Sequence, residues 1–158
     1  MNLTAYIQEY VIFLFSVADL VEKLLNMNVD VNWKDRAGRT PLWYAVKYSE
    51  RIFPERNYYQ VGKILLLNGA HPVISSYTYA GPKYECTSMI RFIVKACELK
   101  HMLLENDILR AFEKNIDFGF HQGIFDMNKR NIILRDFIDG ELNSFQKFRN
   151  IFPLMNKM

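Results

Sequence analysis

Asp35-Arg36-Ala37-Gly38-Arg39-Thr40-Pro41-Leu42-Trp43-Tyr44-Ala45-Val46, followed after a break by Val61-Gly62-Lys63-Ile64-Leu65-Leu66-Leu67-Asn68-Gly69-Ala70-His71-Pro72, is the stretch that decides how this chain folds. Gly38 marks a tight turn, because it tolerates the positive φ that such turns demand. Thr40 is a helix N-cap, and Pro41 sits at the first helical position, where a missing N–H costs nothing. Leu42, Ala45 and Val46 then recur at helical spacing. Val61, Ile64, Leu65 and Leu67 form the apolar side of a second helix, which ends at Asn68-Gly69, a C-terminal cap signal. A turn, two short helices and a loop cannot bury their own apolar faces. Such a unit has to stack on others like it.

Flanking segments repeat the pattern. Val21-Glu22-Lys23-Leu24-Leu25-Asn26-Met27-Asn28 reads as the second helix of a preceding unit, with Asn28 in the place of the cap glycine, since asparagine visits the left-handed region more readily than most residues. Asn28 to Gly69 spans 41 positions (69 − 28), and so does Leu24 to Leu65 (65 − 24). Applied once more, this offset carries Thr40-Pro41 onto Gly81-Pro82, so a third unit is expected to start near Gly81. Its first helix would carry Met89, Ile90, Ile93 and Val94, and its second would centre on Met102, Leu103 and Leu104. Further on, Leu109–Phe118, Asn131–Ile138 and Leu142–Phe152 have helical apolar spacing, punctuated by Gly119, Gly123 and Asp139-Gly140.

The complete unit resembles an ankyrin repeat, with T-P-L-W-Y-A standing for T-P-L-H-x-A and L-L-L-N-G-A for the end of the second helix. The resemblance implies an all-α fold: a short ankyrin-type helix-turn-helix solenoid with a divergent helical C-terminal part. A period of about 33 residues leaves roughly eight extra, which fall in an insertion at 50–58 where Arg51-Ile52-Phe53-Pro54-Glu55-Arg56-Asn57 breaks the helical pattern. The expected organisation is a partial unit over 1–33, a complete one over 34–74 and a degenerate one over 75–108. Residues 109–158 would then be a helical cap or decayed repeats.

The resemblance also implies where a partner binds, on the concave face made by the loop tips and the exposed side of each first helix. In this chain those positions are Trp33, Lys34, Arg36, Ala37, Arg39, Lys47 and Tyr48, with Ile74, Ser75, Tyr77 and Thr78 as loop positions of the next unit. The cations and aromatics among them point to a protein partner with an acidic and partly apolar surface, since Trp, Tyr and Arg dominate interface energetics. Asp35 has a structural reading, bonding backbone amides of the turn. Lys34 to Arg56 is also a basic and aromatic stretch, and carries the alternative of nucleic-acid or ribonucleoprotein binding by stacking. Glu50 and Glu55 interrupt that run, and a net charge of +3 is slight for such a role. A remnant of a longer repeat array is a further alternative.

Catalytic chemistry finds no footing. Cys97 and His101 are four apart without companions at zinc-like spacing, and His71 and His121 stand alone. The phosphate-loop, dinucleotide and nucleophile-elbow motifs are missing from the sequence. The expectation is therefore no enzyme, no cofactor and no metal. Cys86 and Cys97 read as buried thiols of a reducing compartment. Val11-Ile12-Phe13-Leu14-Phe15 is too short for a bilayer-spanning helix, and the residues before it hold Glu9 but no Lys or Arg, which argues against a signal peptide. These features fit a cytoplasmic protein, or one delivered into a host cell if its source is a pathogen or virus. The apolar first helix leaves edge-to-edge self-association as an option.

Overall fold

A computed structural model describes residues 17–51, 58–98 and 106–140. Among them the chain forms six helices and one β-hairpin. In order these are α1 (Val17–Asn26), α2 (Pro41–Ser49), α3 (Tyr58–Leu67), β1 (Ser75–Thr78), β2 (Gly81–Tyr84), α4 (Cys86–Glu98), α5 (Asn106–His121) and α6 (Met127–Gly140). The protein is thus mostly helical, roughly as the all-α expectation has it, with one small two-stranded sheet added to the helices. Residues Ile52 to Asn57, Met102 to Leu104 and Leu142 to Phe152 lie outside the described residues, as do Val11 to Phe15 and His101.

The helix boundaries follow from local chemistry that recurs. Thr40 caps α2: its hydroxyl accepts the Trp43 amide at 3.3 Å, and Pro41 opens the first turn. Asp126 does the same for α6, its carboxylate accepting the Lys129 amide at 2.8 Å. Glu85 precedes α4 and accepts the Ser88 hydroxyl at 3.2 Å, while its carbonyl accepts the Met89 amide. At the other ends, α1, α3 and α5 run into Asn28, Gly69 and Gly123, all with positive φ. In two of these caps the amide after the glycine reaches back five residues, Ala70 to the Leu65 carbonyl and Ile124 to the Gly119 carbonyl, each at 2.9 Å. This is the Schellman arrangement, and it satisfies carbonyls that a helix end otherwise leaves bare.

Helices with matching caps pack into matching places. α2 lies against α3 and α4 against α5. Across these pairs α2 touches α4 and α4 touches α6, while α1 touches α3 and α3 touches α5. Two rows result, one of helices that begin at Thr40, Glu85 and Asp126, the other of helices that end at Asn28, Gly69 and Gly123. Position 108, where the repeat region is expected to stop, falls inside α5, and α6 takes its place in the first row. Asn131–Ile138 is helical within it, as its spacing predicts.

Three expectations are corrected. Gly81-Pro82 does not open a helix; it lies in β2, and the third pair starts after Glu85, 45 positions beyond Thr40 (85 − 40). The offset of 41 holds for the caps Asn28 and Gly69 but not for the following helix starts, because the second loop is longer and folds into the hairpin. Ile74, expected on the surface of that loop, is buried in the core at 2% exposure. Gly119 does not punctuate either. It sits within α5 because a side chain there would collide with Phe125, whose Cε1 lies 2.3 Å from where its Cβ would be.

The hairpin pairs Ser75 with Tyr84, Ser76 with Lys83, Tyr77 with Pro82 and Thr78 with Gly81. Tyr77 turns its amide outward to the Ala37 carbonyl at 2.8 Å, so the hairpin is stitched to the preceding loop. By alternation, the face of Pro82 that would carry an N–H then points to the outer edge of β2. A proline with an exposed lysine beside it, here Lys83, closes an edge to further strands. No third finger follows, since only two residues separate Gly123 from Asp126.

The core runs between the rows, with Leu42, Leu65, Ile74, Met89, Ile93, Ile108, Phe112, Ile116 and Leu134 all nearly inaccessible. Close approach of α3 and α4 depends on Gly62, because a Cβ there would lie 2.3 Å from Cζ of Phe92. Phe92 cannot retreat freely: it is 2% exposed and stacks on Tyr59 with ring centroids 5.2 Å apart. Alanine is the better helix former by about 1 kcal/mol, yet Gly62→Ala is expected to lower stability in urea unfolding by about 1–3 kcal/mol through overpacking. Phe92→Leu in that background should restore part of the loss, whereas a stabilised Gly62→Ala protein would contradict this packing.

Candidate interaction surface

The loop between α1 and α2 is built around one carboxylate. Asp35 Oδ1 accepts the amides of Ala37 and Arg39, both at 2.9 Å, and Oδ2 accepts the Tyr44 hydroxyl from α2. The Asp35 amide donates to the Arg39 carbonyl at 3.0 Å, closing the turn through Gly38. Burial, followed by the bond to Asp35, raises the pKa of Tyr44 above the usual phenol value, so its proton stays in place. Asp35 is thereby spent on shape and unavailable to a partner.

The sequence-expected contact residues fall into three groups. Lys34 and Arg36 are exposed and make no ion pair among the described residues. Trp33 is 38% exposed and Tyr77 59%, and Tyr79 at the hairpin tip, which sequence reasoning passed over, is fully exposed. These side chains form the accessible part of the two loops. Arg39, in contrast, lays its guanidinium over the Trp43 ring at 4.7 Å, and neither its Nε nor Trp43 Nε1 meets an acceptor. Its arm packs on the rings of Trp43 and Tyr44.

Lys47 and Tyr48 belong to α2 and are engaged there. The Lys47 ammonium lies 3.2 Å from Glu50 and 3.4 Å from Glu85, the latter nearly buried, so one cation joins α2 to the start of α4. Lys83 approaches the same Glu85 carboxylate at 3.9 Å. The Tyr48 ring stacks between Tyr44 at 6.0 Å and Tyr58 at 5.8 Å, and Arg51 lies over it at 5.5 Å. Glu85 escaped sequence reasoning because the partner that joins it to α2, Lys47, lies 38 positions away. The only readable signal was an acidic residue just before an apolar helical run.

The loops are tied to one another. Asn32 donates its side-chain amide to the Gly69 carbonyl at 3.0 Å and accepts the His71 amide at 2.7 Å. Asn115 of α5, wholly buried, donates to the carbonyls of Pro72 and Ala111 at 3.1 and 2.8 Å. His71 thus stands beside a loop clip. His121 ends α5, exposed next to Phe120. Among the described residues no three His, Cys, Asp or Glu side chains gather as a metal site would need. Cys86 is buried, and burial pushes its pKa up to about 11, so at neutral pH it is a protonated thiol and a poor nucleophile. No described helix is long and apolar enough to cross a membrane.

No protein-family model matches the chain, and a search of curated proteins found no significant match.

The Asp35 clamp gives a direct test. Asp35→Ala strands two amides and the Tyr44 hydroxyl, and should cost about 2–3 kcal/mol in urea unfolding at an unchanged m value. Tyr44→Phe should cost clearly less in the Asp35→Ala background than in the wild type. Equal costs in both would mean that the two groups are not coupled.

Proposed function

We propose that this chain is a short ankyrin-type stack that works as a non-enzymatic interaction module, binding a protein partner through its loops and first-row helices. The observation that carries this reading is the recurrence of one capped helix pair. The caps at Thr40, Glu85 and Asp126, and the left-handed turns at Asn28, Gly69 and Gly123, set equivalent helices side by side and project the loops beyond them. Repeats arranged this way are a scaffold for contact, and their variable loops carry the specificity. The side chains on those loops suit the role. Trp33, Tyr77 and Tyr79 offer large rigid apolar area, and Lys34 and Arg36 bring charge with no internal partner among the described residues. Arg39, Lys47 and Tyr48 support the surface from below, and a partner is expected to meet them chiefly through their exposed edges.

The partner is a protein whose surface is acidic and partly apolar. Free cations at a rim mainly raise the association rate and choose the partner, while aromatic anchors hold the complex. The purified chain, immobilised and exposed to lysate from its native cell type or its host, tests this. Wild-type protein should retain a specific partner that Trp33→Ala/Arg36→Glu retains at least about tenfold less, with the helical circular dichroism unchanged. Equal retention by both would place binding elsewhere on the molecule.

A further inference from the structure

Between the two loops lies a groove that shares Lys34 and Tyr77 with the surface above but is otherwise lined by residues outside it. Its volume is about 590 Å³, within the span of ligand-binding clefts. One wall is the first loop with Lys34, the other is the second loop with His71, Ser75 and Tyr77, and Phe118 of α5 closes it from the second row. Arg39, Trp43, Lys47 and Tyr48 do not line it, whereas Phe118 of α5 does.

Three properties define what it would hold. The floor is aromatic and fixed: Tyr84 and Phe118 meet edge to face with centroids 4.6 Å apart. The Tyr77 ring is held over Gly38, where a Cβ would come within 2.8 Å of it. The ionisable lining residues are Lys34, His71 and the tyrosines, with no carboxylate among them. The nearest acids in the first loop are occupied, Asp30 with the Asn32 amide and Asp35 with the turn. Lys34 lines the groove without an ion pair among the described residues, and the Ser75 hydroxyl, on the other wall, makes no hydrogen bond within them. His71 is steadied by its Nδ1 contact with the Val73 carbonyl at 3.3 Å.

We infer that this groove binds an extended acidic peptide segment of a protein partner, with an aromatic or aliphatic side chain on the Tyr84–Phe118 floor and a flanking carboxylate at Lys34 and Ser75. An apolar anchor satisfies the floor, and the carboxylate supplies the charge that the lining lacks. The inference rests on the protein-interaction reading above and narrows it to the groove between the loops. Addition of a strand is not the mode, because Pro82 occupies the outer edge of β2.

Amide chemical shifts of the full-length isotope-labelled chain test it, titrated with the peptide acetyl-Asp-Phe-Asp-Leu-Glu-amide. The counterpart with lysine at each acidic position and free 3-phenylpropionate serve as the other arms. The expected result is saturable shifts at Lys34, Ser75, Tyr77 and Phe118 with the acidic peptide alone, weakened about tenfold by the surface substitution Lys34→Glu. Equal binding of the lysine peptide, or no shifts at the groove, would overturn the inference. Free acid binding as tightly as the peptide would overturn its peptide assignment. Shifts confined to Lys47 and Tyr48 would overturn the groove while leaving the first-row surface as the contact site.

Discussion

Helices of nine and ten residues, such as α2 and α3, are too short to persist alone in water, and each has apolar side chains that its paired neighbour cannot cover. This constraint governs everything else in the molecule. The helices exist because the next pair buries what they leave open, so Leu42, Leu65, Met89 and Phe112 share one continuous core. Once the pairs must stack, the loops between them are forced into register, and backbone groups at their ends need partners across the stack. Asn32 bridging to Gly69 and His71, Tyr77 to Ala37, and Lys47 to Glu85 supply those partners.

The proposed binding role draws on the same economy. Loops tied at several points lose little further entropy when they meet a partner, and preorganisation is what converts modest contact area into affinity. Side chains on the loops then divide by exposure. Asp35, Arg39 and Glu85 hold shape, whereas Lys34, Arg36, Trp33 and Tyr77 remain accessible. Residue types alone did not separate these groups, because an arginine that stacks on Trp43 and one that faces solvent read identically in sequence.

Local features were legible in the sequence and distant ones were not. Thr40-Pro41 announced a helix start, and Asn28 and Gly69 announced left-handed stops, because capping depends on residues within a turn or two. Gly123 was visible as punctuation but could not be aligned, since only two residues separate it from Asp126 and no hairpin fits between them. The hairpin was hidden because Ser75-Ser76-Tyr77-Thr78 and Gly81-Pro82-Lys83-Tyr84 lack the apolar alternation of a half-buried strand. Its partner is the loop at Ala37, forty positions earlier (77 − 37). Gly119 looked like a breaker, and only its contact with Phe125 reveals a packing glycine. Among the candidate contact residues, the cations of the first loop were readable as a group. The engagement of Lys47 was not, because Glu85 reaches it only through the stacking of α2 on α4.

Hydrogen exchange at the Tyr77 amide tests the central claim most directly, that the loops are locked by the stack rather than carried passively on it. That amide sits in a loop by sequence but donates to Ala37 across two units. Stitched loops predict slow exchange, with an opening free energy close to that of core amides in α3 such as Leu65. Exchange at the unprotected rate, with α3 still protected, would mean that the loops move independently and that no preformed surface exists.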